Sequence, residues 1–394
     1  MTKHLSLLRS CTSPIGPHAA GYRRRAVYLV AACVCSCLPS RGAELESSGQ
    51  IVFRAGESGY DTFRIPAIVR TPSGALLAFA EGRVNSRADH GDLDIVSRRS
   101  EDNGLTWGPL KLVRSDGVHQ VGNPCPVVDN ETGKILLLHN TSRNSEREVL
   151  SGIGAREVFL IESDDEGVTW GVPRNISAST KRVNWRWYAT GPCSGIQLRS
   201  GTHAGRLVLP ANHSVHFPDR DQWEYRCHSL YSDDNGTTWN IGASSSVGGN
   251  ETQIAEASRD LLIQDVRMQT DRLGSRAVRF SSNGGSSWTP LQHDKQRPCP
   301  KCQGSLIAAP TGTAAQSRLF SSNPRGPGRT HLTVYASDNS GTRWKPIKTL
   351  HDGPSAYSNL VITDDGNLAC LFEGGETSPY ETIRFEVVGS VDKL

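Results

Sequence analysis

Short apolar runs separated by turn-forming residues recur along the chain. Each run is four to six residues long and is bounded by Gly, Asp, Asn or Pro, which is typical of β-strands joined by tight turns. The clearest runs lie at residues 75–80, 134–139, 206–210, 332–335 and 367–372. No long segment places its apolar residues with the period of an amphipathic helix. The pattern therefore predicts an all-β protein built from many short strands.

One eight-residue pattern, S-x-D-x-G-x-T-W, recurs through the chain. It occurs at residues 100–107, 163–170 and 232–239, with looser copies at 281–288 and 337–344. In such a segment the Asp or Asn side chain accepts hydrogen bonds from the backbone ahead of it, and Gly adopts a positive φ. The pattern predicts a repeated hairpin turn that its Trp side chain anchors.

The spacing of these repeats sets the expected architecture. Trp107, Trp170, Trp239, Trp288 and Trp344 stand 63, 69, 49 and 56 residues apart. Each interval is long enough for about four short strands, the size of one propeller blade. At about 55–65 residues a blade, the roughly 350 residues after the N-terminal stretch form six blades. We therefore predict a six-bladed β-propeller of four-stranded antiparallel blades.

The N-terminal stretch differs from the rest of the chain. Three arginines at residues 23–25 precede an apolar run at 26–37, which is too short to span a bilayer. We interpret residues 1–43 as a signal peptide or leader and residues 44–394 as the propeller. A lipoprotein-like attachment at Cys33 and an unstructured tail are the alternatives. We expect an exported protein, whether secreted, periplasmic or lysosomal, with no obligate membrane partner.

Charge and cysteine content narrow the range of partners. The net charge of the 394 residues is +3. This small excess of positive charge argues against nucleic acid as a partner, and it is compatible with an anionic substrate held by a few arginines. Six of the ten cysteines follow the leader, an even number that permits disulfides. Cys299 and Cys302 form a CxxC pair without a second such pair, so we expect a local disulfide or two thiols, no metal and no cofactor.

Two motifs and the repeats resemble those of the sialidase family. Residues 63–66 are FRIP, residues 74–83 are GALLAFAEGR, and the repeated turns are similar to the Asp boxes of sialidases. The resemblance covers residues 50–390. It implies a retaining exo-α-sialidase, a glycoside hydrolase that removes terminal sialic acid from glycoproteins, from glycolipids such as gangliosides, or from oligosaccharides. Sialylated glycans are accordingly the expected substrates.

The resemblance assigns substrate-binding roles to three arginines. Arg64 of the FRIP motif, Arg267 and Arg329 match the arginine triad that binds the carboxylate of sialic acid. A guanidinium suits this task, because it binds a carboxylate through two hydrogen bonds and stays charged at every working pH. Arg276 is an alternative to Arg267, since it lies in the same stretch of the sequence. Glu373 resembles the glutamate that holds the first arginine in place.

Asp89 matches the acid/base aspartate of the family. It lies in the segment that follows the GALLAFAEGR motif. The expected role is to protonate the leaving glycosidic oxygen and then to activate water. A loop that excludes solvent would raise the pKa of this carboxyl group. Asp92 and Asp94 lie close by and are the alternatives.

The resemblance identifies Tyr357 as the nucleophile and Glu251 as its base. The anomeric carbon of sialic acid carries a carboxylate that repels an anionic nucleophile, whereas a neutral phenol avoids the repulsion. A phenol needs a base to take its proton at working pH. Glu256 is the alternative base. Because Glu251 lies in the glycosylation sequon of Asn250, we expect this sequon to be unused.

A segment at residues 184–195 departs from the family pattern. It resembles a loop near the sialidase active site, but Cys193 and Ser194 stand where the family often has a small residue and His. Trp187 and Tyr188 are expected either to line the sugar pocket or to belong to the core of a blade.

Two other functions use some or all of the same residues. A non-catalytic propeller that binds sialylated ligands needs the arginines but has no use for Tyr357 and Glu251. A trans-sialidase keeps the whole site and transfers sialic acid to another sugar. The complete set of acid, nucleophile, base and arginines favours an enzyme over a binding protein.

Overall fold

The computed structural model describes residues 49–217, 222–270, 274–310 and 317–394. The predicted leader at residues 1–43 lies outside the described residues. The described chain contains 24 strands and two short helices, which confirms the all-β prediction. In this part of the chain, neither helix has the length and hydropathy that crossing a bilayer requires.

The strands are short and mostly joined by tight turns. In chain order they are β1 (Gln50–Arg54), β2 (Thr62–Arg70), β3 (Leu76–Arg83), β4 (Leu93–Ser100), β5 (Lys111–Arg114), β6 (Gln120–Val128), β7 (Ile135–Ser142), β8 (Arg156–Ser163), β9 (Arg174–Asn175), β10 (Trp185–Thr190), β11 (Ile196–Gln197), β12 (Leu207–Phe217), β13 (Gln222–Ser232), β14 (Asn240–Ile241), β15 (Gly249–Ser258), β16 (Leu261–Met268), β17 (Ser275–Ser281), β18 (Gln292–Pro298), β19 (Ser305–Pro310), β20 (Ser317–Pro324), β21 (Thr330–Ser337), β22 (Lys345–Ile362), β23 (Asn367–Gly374) and β24 (Thr382–Ser390). The helices are α1 (Glu146–Leu150) and α2 (Ser177–Thr180).

Hydrogen bonding arranges the described strands in four almost entirely antiparallel sheets, of seven, five, four and eight strands. We divide the two largest sheets in two each and describe the strands as six successive groups. Strands β2 to β5 form the first group and β6 to β9 the second, linked by one parallel pairing of Leu93 with Gln120. Strands β10 to β14 form the third group and β15 to β18 the fourth. The fifth contains β19 to β21 with the first half of β22, and the sixth contains the second half of β22 with β23, β24 and β1.

The first and last strands of the described chain pair with each other. β1 lies antiparallel to β24, with Gln50 opposite Phe385 and Ile51 opposite Arg384. β22 is 18 residues long, and its two halves pair with β21 and with β23. The pairing of β1 with β24 brings residues from opposite ends of the chain together.

The core consists of apolar clusters between neighbouring groups. Strand β3 is buried at all eight positions because its side chains alternate between two clusters. Leu77 and Phe79 pack toward the second group. Leu76, Ala78 and Ala80 pack toward the sixth. A strand covered on both faces accounts for the continuous apolar run in this part of the sequence.

The repeated segments form the predicted turn. In the third copy, the Asp234 carboxylate accepts hydrogen bonds from the Thr238 backbone N–H (2.8 Å) and hydroxyl (2.7 Å). Gly236 has a φ of +83°, and a Cβ there would lie 2.0 Å from a Leu136 methyl, so the position requires glycine. Trp239 is buried and donates from Nε1 to the Gly236 carbonyl at 3.1 Å.

Candidate active site

A cavity of about 230 Å³ lies where the first strands of several groups meet, namely β2, β6, β10, β15 and the second half of β22. Six of the seven predicted site residues line it: Arg64, Asp89, Glu251, Arg267, Arg329 and Tyr357. The seventh, Glu373, lies behind Arg64 on β23. The structure therefore brings together residues that are scattered over most of the sequence.

Glu373 connects the first arginine to the predicted nucleophile. Its carboxylate, which has no solvent exposure, accepts from Arg64 Nε at 2.7 Å. It also accepts from the backbone N–H groups of Ile65 (2.9 Å) and Tyr357 (3.1 Å). Ile65 has a φ of +58°, an unfavourable conformation for a β-branched residue, and the Glu373 hydrogen bond helps to hold it there. Glu373 thus fixes both Arg64 and the backbone of Tyr357.

The other two predicted arginines also surround Tyr357. Arg267 donates from Nη1 to the Tyr357 hydroxyl at 3.0 Å. The guanidinium carbon of Arg329 lies 5.4 Å from the centre of the Tyr357 ring, and that of Arg64 lies 5.2 Å from it. Arg329 is oriented by a 2.9 Å hydrogen bond from Nη1 to the Tyr380 hydroxyl. Three guanidinium groups therefore converge around one phenol.

Arg276, the alternative to Arg267, lies outside the cavity lining. Its side chain is fully buried and donates to the Asp265 carboxylate (3.0 Å) and to the Cys302 carbonyl (2.8 Å). A guanidinium that these acceptors engage is not available to a ligand. The geometry favours Arg267.

Tyr357 and Glu251 form a short hydrogen bond. The Tyr357 hydroxyl donates to Glu251 Oε1 at 2.5 Å, and Arg267 donates to Glu251 Oε2 at 2.6 Å. Burial and the negative charge of Glu251 raise the pKa of Tyr357 well above its ordinary value, although Arg267 and Arg329 act in the opposite direction. The phenol is therefore neutral at physiological pH and is already in contact with a proton acceptor.

Glu256, the alternative base, faces away from the cavity. Its carboxylate accepts from the Arg199 backbone N–H (2.8 Å) and from the Ser200 hydroxyl (2.6 Å). It holds the loop between β11 and β12. This position leaves Glu251 as the carboxylate that contacts Tyr357.

Asp89 lies in the loop between β3 and β4 at the mouth of the cavity, with its side chain 74% exposed. Its Oδ1 is 2.7 Å from Arg83 Nη1 and 3.8 Å from Arg64 Nη1. Partial desolvation raises the pKa of Asp89, but Arg83 and Arg64 outweigh it and hold the pKa below the ordinary value. The expectation of a raised pKa was wrong for this arrangement, because two cations lie beside an exposed carboxylate.

Neither alternative to Asp89 lines the cavity. Asp94 is buried and accepts from the Tyr60 hydroxyl at 2.8 Å. Asp92 lies further along the loop, where its carbonyl accepts from the Val84 N–H at 3.0 Å. Among the three aspartates, Asp89 contacts the arginines of the site.

The two aromatic residues of the 184–195 segment have different environments. Trp187 lines the cavity. Tyr188 is fully buried in the core cluster between the second and third groups, and its hydroxyl lies 3.0 Å from His228 Nε2. Cys193 is a buried thiol whose sulfur lies 3.3 Å from the Ser358 carbonyl. Trp187 thus belongs to the pocket, whereas Tyr188 belongs to the core.

The cysteines that follow the leader are buried thiols in the described residues. Cys299 and Cys302 pack in the apolar cluster that contains Tyr357, with Cys299 Sγ 3.3 Å from the Cys302 carbonyl. Of the alternatives for the CxxC pair, the structure has two thiols. Across the part of the chain that the structure describes, no group of three or more His, Cys, Asp or Glu side chains is arranged to hold a metal.

Several cavity residues were not predicted from the sequence. Arg83 and Glu81 form a buried ion pair of 2.6 Å at the end of β3, and both belong to the GALLAFAEGR motif. Arg156 and Gln120 begin strands β8 and β6 and have no local motif to mark them. Tyr380 lies in the loop after β23, with its ring 4.1 Å from the Arg64 guanidinium carbon.

Asn250, the residue of the predicted unused sequon, is buried and lines the cavity. Its Oδ1 accepts from the Glu251 backbone N–H at 2.8 Å. A glycan attached to this side chain would occupy the cavity. The contact supports the prediction that the sequon is unused.

The arrangement combines two chemical capabilities. Three guanidinium groups can bind an anion, and the Tyr357–Glu251 pair and Asp89 can move protons on either side of it. An anionic sugar that binds with its carboxylate on the arginines would place a reacting carbon between a phenol and an acid. This is the geometry of proton-assisted substitution at an anionic substrate.

Comparisons with known proteins identify relatives over most of the chain. Residues 74–370 match the family described as a BNR repeat-like domain. The chain is 31% identical to a sialidase of Micromonospora viridifaciens over 94% of this chain, and it spans 61% of that relative. It is also 31% identical to Sialidase-3 of Mus musculus, over 86% of this chain and 94% of the relative. A solved Hadza microbial sialidase has a TM-score of 0.77 and 29% identity, over 88% of this chain and 69% of that one.

Proposed function

Because the chain belongs to the sialidase family of glycoside hydrolases, we propose that it is a retaining exo-α-sialidase that hydrolyses terminal sialic acid from sialylated glycans. The observation that carries this proposal is the Tyr357–Glu251 hydrogen bond in a pocket whose lining includes the three predicted arginines. A protein that only binds sialic acid needs the arginines but not this pair. The presence of the Tyr357–Glu251 pair therefore favours catalysis over binding alone.

Binding begins with the carboxylate of sialic acid. Arg64, Arg267 and Arg329 surround the Tyr357 ring and offer donors to a planar anion. Burial lowers the pKa of Arg64 and Arg267, but Glu373 and Glu251 outweigh it and raise both pKa values. The guanidinium groups therefore stay charged at every working pH. The bound carboxylate directs the anomeric carbon toward the Tyr357 hydroxyl.

Tyr357 attacks the anomeric carbon while Glu251 takes the phenolic proton. The bond from the phenol oxygen to the carbon forms as the bond to the leaving glycosidic oxygen breaks, through an oxocarbenium-like transition state. Arg267 contacts both the Glu251 carboxylate and the phenol oxygen. It is thus placed to stabilise negative charge on either one during proton transfer.

Asp89 gives a proton to the leaving oxygen and later removes one from the water that releases the sugar. In the structure Arg83 and Arg64 lower its pKa. A substrate carboxylate on Arg64 adds negative charge nearby, which raises the pKa of Asp89 and favours the protonated form. Two substitutions on opposite faces of the anomeric carbon retain its configuration.

The proposal extends to the architecture and to the cellular location. The six strand groups of the described residues pack on their neighbours, and the sixth packs on the first, which supports a six-bladed propeller with the pocket at its centre. The sequence of residues 1–43 supports export, so the substrates are sialylated glycans in a secreted, periplasmic or lysosomal setting.

Turnover of a fluorogenic α-sialoside by the wild type and by Tyr357→Phe tests the proposal. We expect an active wild type and a loss of about 10³-fold or more in kcat in the variant. Proton NMR should detect α-sialic acid as the first product, and β-sialic acid as the first product contradicts retention. A folded wild type without turnover between pH 4 and 8 contradicts catalysis. Sialyllactose as the main product in the presence of lactose favours a trans-sialidase.

A further inference from the structure

A second cleft, of about 300 Å³, lies next to the candidate active site. Strands β8 and β10, the segment between α2 and β10, and both helices contribute to its lining. Among the described residues, Arg156 alone belongs to the linings of both the cleft and the active-site cavity. No step of the proposed reaction uses a residue of this cleft, so its composition needs a separate explanation.

The cleft carries a large excess of positive charge. Its described lining has four cationic side chains and one carboxylate, a net formal charge of +3: Arg156, Lys181, Arg182 and Arg186 against Glu157. The Glu157 carboxylate also accepts from Asn175 Nδ2 at 3.2 Å. Neighbouring cations repel one another, and an anion bound among them would offset that repulsion.

Lys181 connects the two strands of the cleft. Its ammonium donates to the backbone carbonyl of Arg156 on β8 at 2.9 Å and to that of Arg186 on β10 at 2.8 Å. An ammonium has three N–H donors, so one stays available. Burial and the charges of Arg156 and Arg186 lower the pKa of Lys181 to about 8, which still leaves the amine mostly protonated at neutral pH. The fold therefore holds a charged donor in a fixed position.

Arg182 and Arg186 add further donors to the cleft. Arg186 Nε is buried and has no hydrogen-bond partner in the described residues. The Arg182 guanidinium carbon lies 5.7 Å from the centre of the Trp185 ring. A guanidinium that lies over a ring uses its face and leaves its N–H edge for an acceptor. Because a buried donor without a partner is costly, a ligand oxygen would stabilise this arrangement.

The donors of the cleft suit a divalent oxyanion. Guanidinium and ammonium groups form charge-assisted hydrogen bonds with phosphate and sulfate oxygens. An excess of positive charge attracts a dianion more strongly than a monocarboxylate at the same distance. The lining also includes the apolar side chains of Val149, Val183 and Trp185, on which the body of a phosphate or sulfate ester can pack.

We propose that the cleft around Lys181, Arg182 and Arg186 is a second ligand site, which binds a divalent oxyanion in the form of a phosphate or sulfate group. This inference goes beyond the proposed sialidase function and does not depend on it. The site lies outside the active-site cavity, so it can be occupied while a sialoside is bound there.

Equilibrium dialysis with radiolabelled sulfate, phosphate and acetate tests the inference, with sodium chloride holding the ionic strength constant. Anions also bind the arginines of the active-site cavity, so each variant is compared with the wild type, which has the same cavity. Arg186→Met should weaken the binding of one sulfate or phosphate per chain by about 10-fold or more, because it removes charged donors. Acetate binding should change far less.

Arg343→Met is the matched control, because Arg343 is an exposed arginine of the fifth repeated turn and lies outside the cleft. It should bind sulfate and phosphate as the wild type does. Unchanged binding in Arg186→Met, or the same loss in Arg343→Met, overturns the inference. An equal loss of acetate overturns the preference for a dianion. If Arg186→Met does not fold, Arg182→Met replaces it, since the Arg182 side chain is exposed.

Discussion

The repeated turns and the pocket use the same chemical groups over very different distances in sequence. In the third turn, Asp234 is satisfied by Thr238, four residues away. In the pocket, Glu373 is satisfied by Arg64, 309 residues away, and Glu251 by Tyr357, 106 residues away. A turn can complete its hydrogen bonds as soon as it forms, whereas the pocket needs the whole fold. Local contacts stabilise the scaffold, and distant contacts create the chemistry.

The third turn and the pocket also differ in what they leave unpaired. The Asp234 carboxylate and the Trp239 indole N–H of the third turn both have partners. In the pocket, Arg156 and Gln120 keep buried polar atoms without partners. Such groups lower stability unless a ligand engages them.

Glu251→Gln is expected to have the largest effect, a fall in kcat of about 10²- to 10⁴-fold, because an amide cannot take the Tyr357 proton. Steady-state kinetics across pH measure it. Glu256→Gln is the control on the same strand, since this carboxylate contacts Arg199 and Ser200 outside the pocket. It should keep the wild-type kcat. Similar losses in both variants would show that disturbing this strand lowers kcat, and that the loss does not come from removing a base.

Glu373→Gln, a change in the pocket, is expected to lower both the stability of the fold and the affinity for substrate. The variant leaves the buried Arg64 guanidinium without its anionic partner, and breaking a buried ion pair costs about 3–5 kcal/mol of stability. KM should rise as well, because Arg64 would no longer be held in place for the substrate carboxylate. Denaturant unfolding and steady-state kinetics measure the two effects. An unchanged unfolding free energy would contradict the importance of this pair.

Arg83→Gln is expected to move the pH dependence of activity. Arg83 lies 2.7 Å from Asp89 and stabilises its ionised form, so removing the charge raises the pKa of Asp89. Asp89 must be protonated to act as an acid, and the alkaline limb of kcat/KM should therefore move to higher pH. Arg83→Lys keeps the charge and should move the limb less. A shift of the limb to lower pH contradicts this role.

Asp234→Ala is expected to have the smallest effect, a loss of about 1 kcal/mol of stability with kcat unchanged. The substitution removes the hydrogen bonds to Thr238 in a turn remote from the cavity. Thermal unfolding and turnover of the same preparation measure both quantities. Lower turnover at unchanged stability would mean that the turns and the pocket are coupled.

Local sequence was sufficient to predict the strands and turns. The apolar run at 75–80 lies almost entirely in β3, and the run at 367–372 lies within β23. Both runs are bounded by turn-forming residues, which favour the end of a strand whatever the rest of the chain does. The predicted catalytic and arginine residues were found through motifs, and the structure brings them into one pocket.

The remaining features depend on tertiary contacts that no local pattern encodes. Arg83, at the end of the preceding strand, contributes most to the lowered pKa of Asp89, and Arg64 adds to it from another strand. Trp187 and Tyr188 are adjacent on β10, so they point to opposite faces, and only the packing decides which one lines the pocket. Arg156 meets Asn123 across 33 residues, and neither lies in a recognisable motif.

The pairing of β1 with β24 has a consequence for synthesis on the ribosome. β1 is synthesised long before β24, so during that interval β1 has no partner strand. During that time the apolar side chains around Phe63, which in the folded protein share a cluster with Phe385, stay uncovered. Glu373 joins Arg64 only after synthesis has passed residue 373. A product that ends before Glu373 therefore lacks the carboxylate that fixes both Arg64 and the backbone of Tyr357.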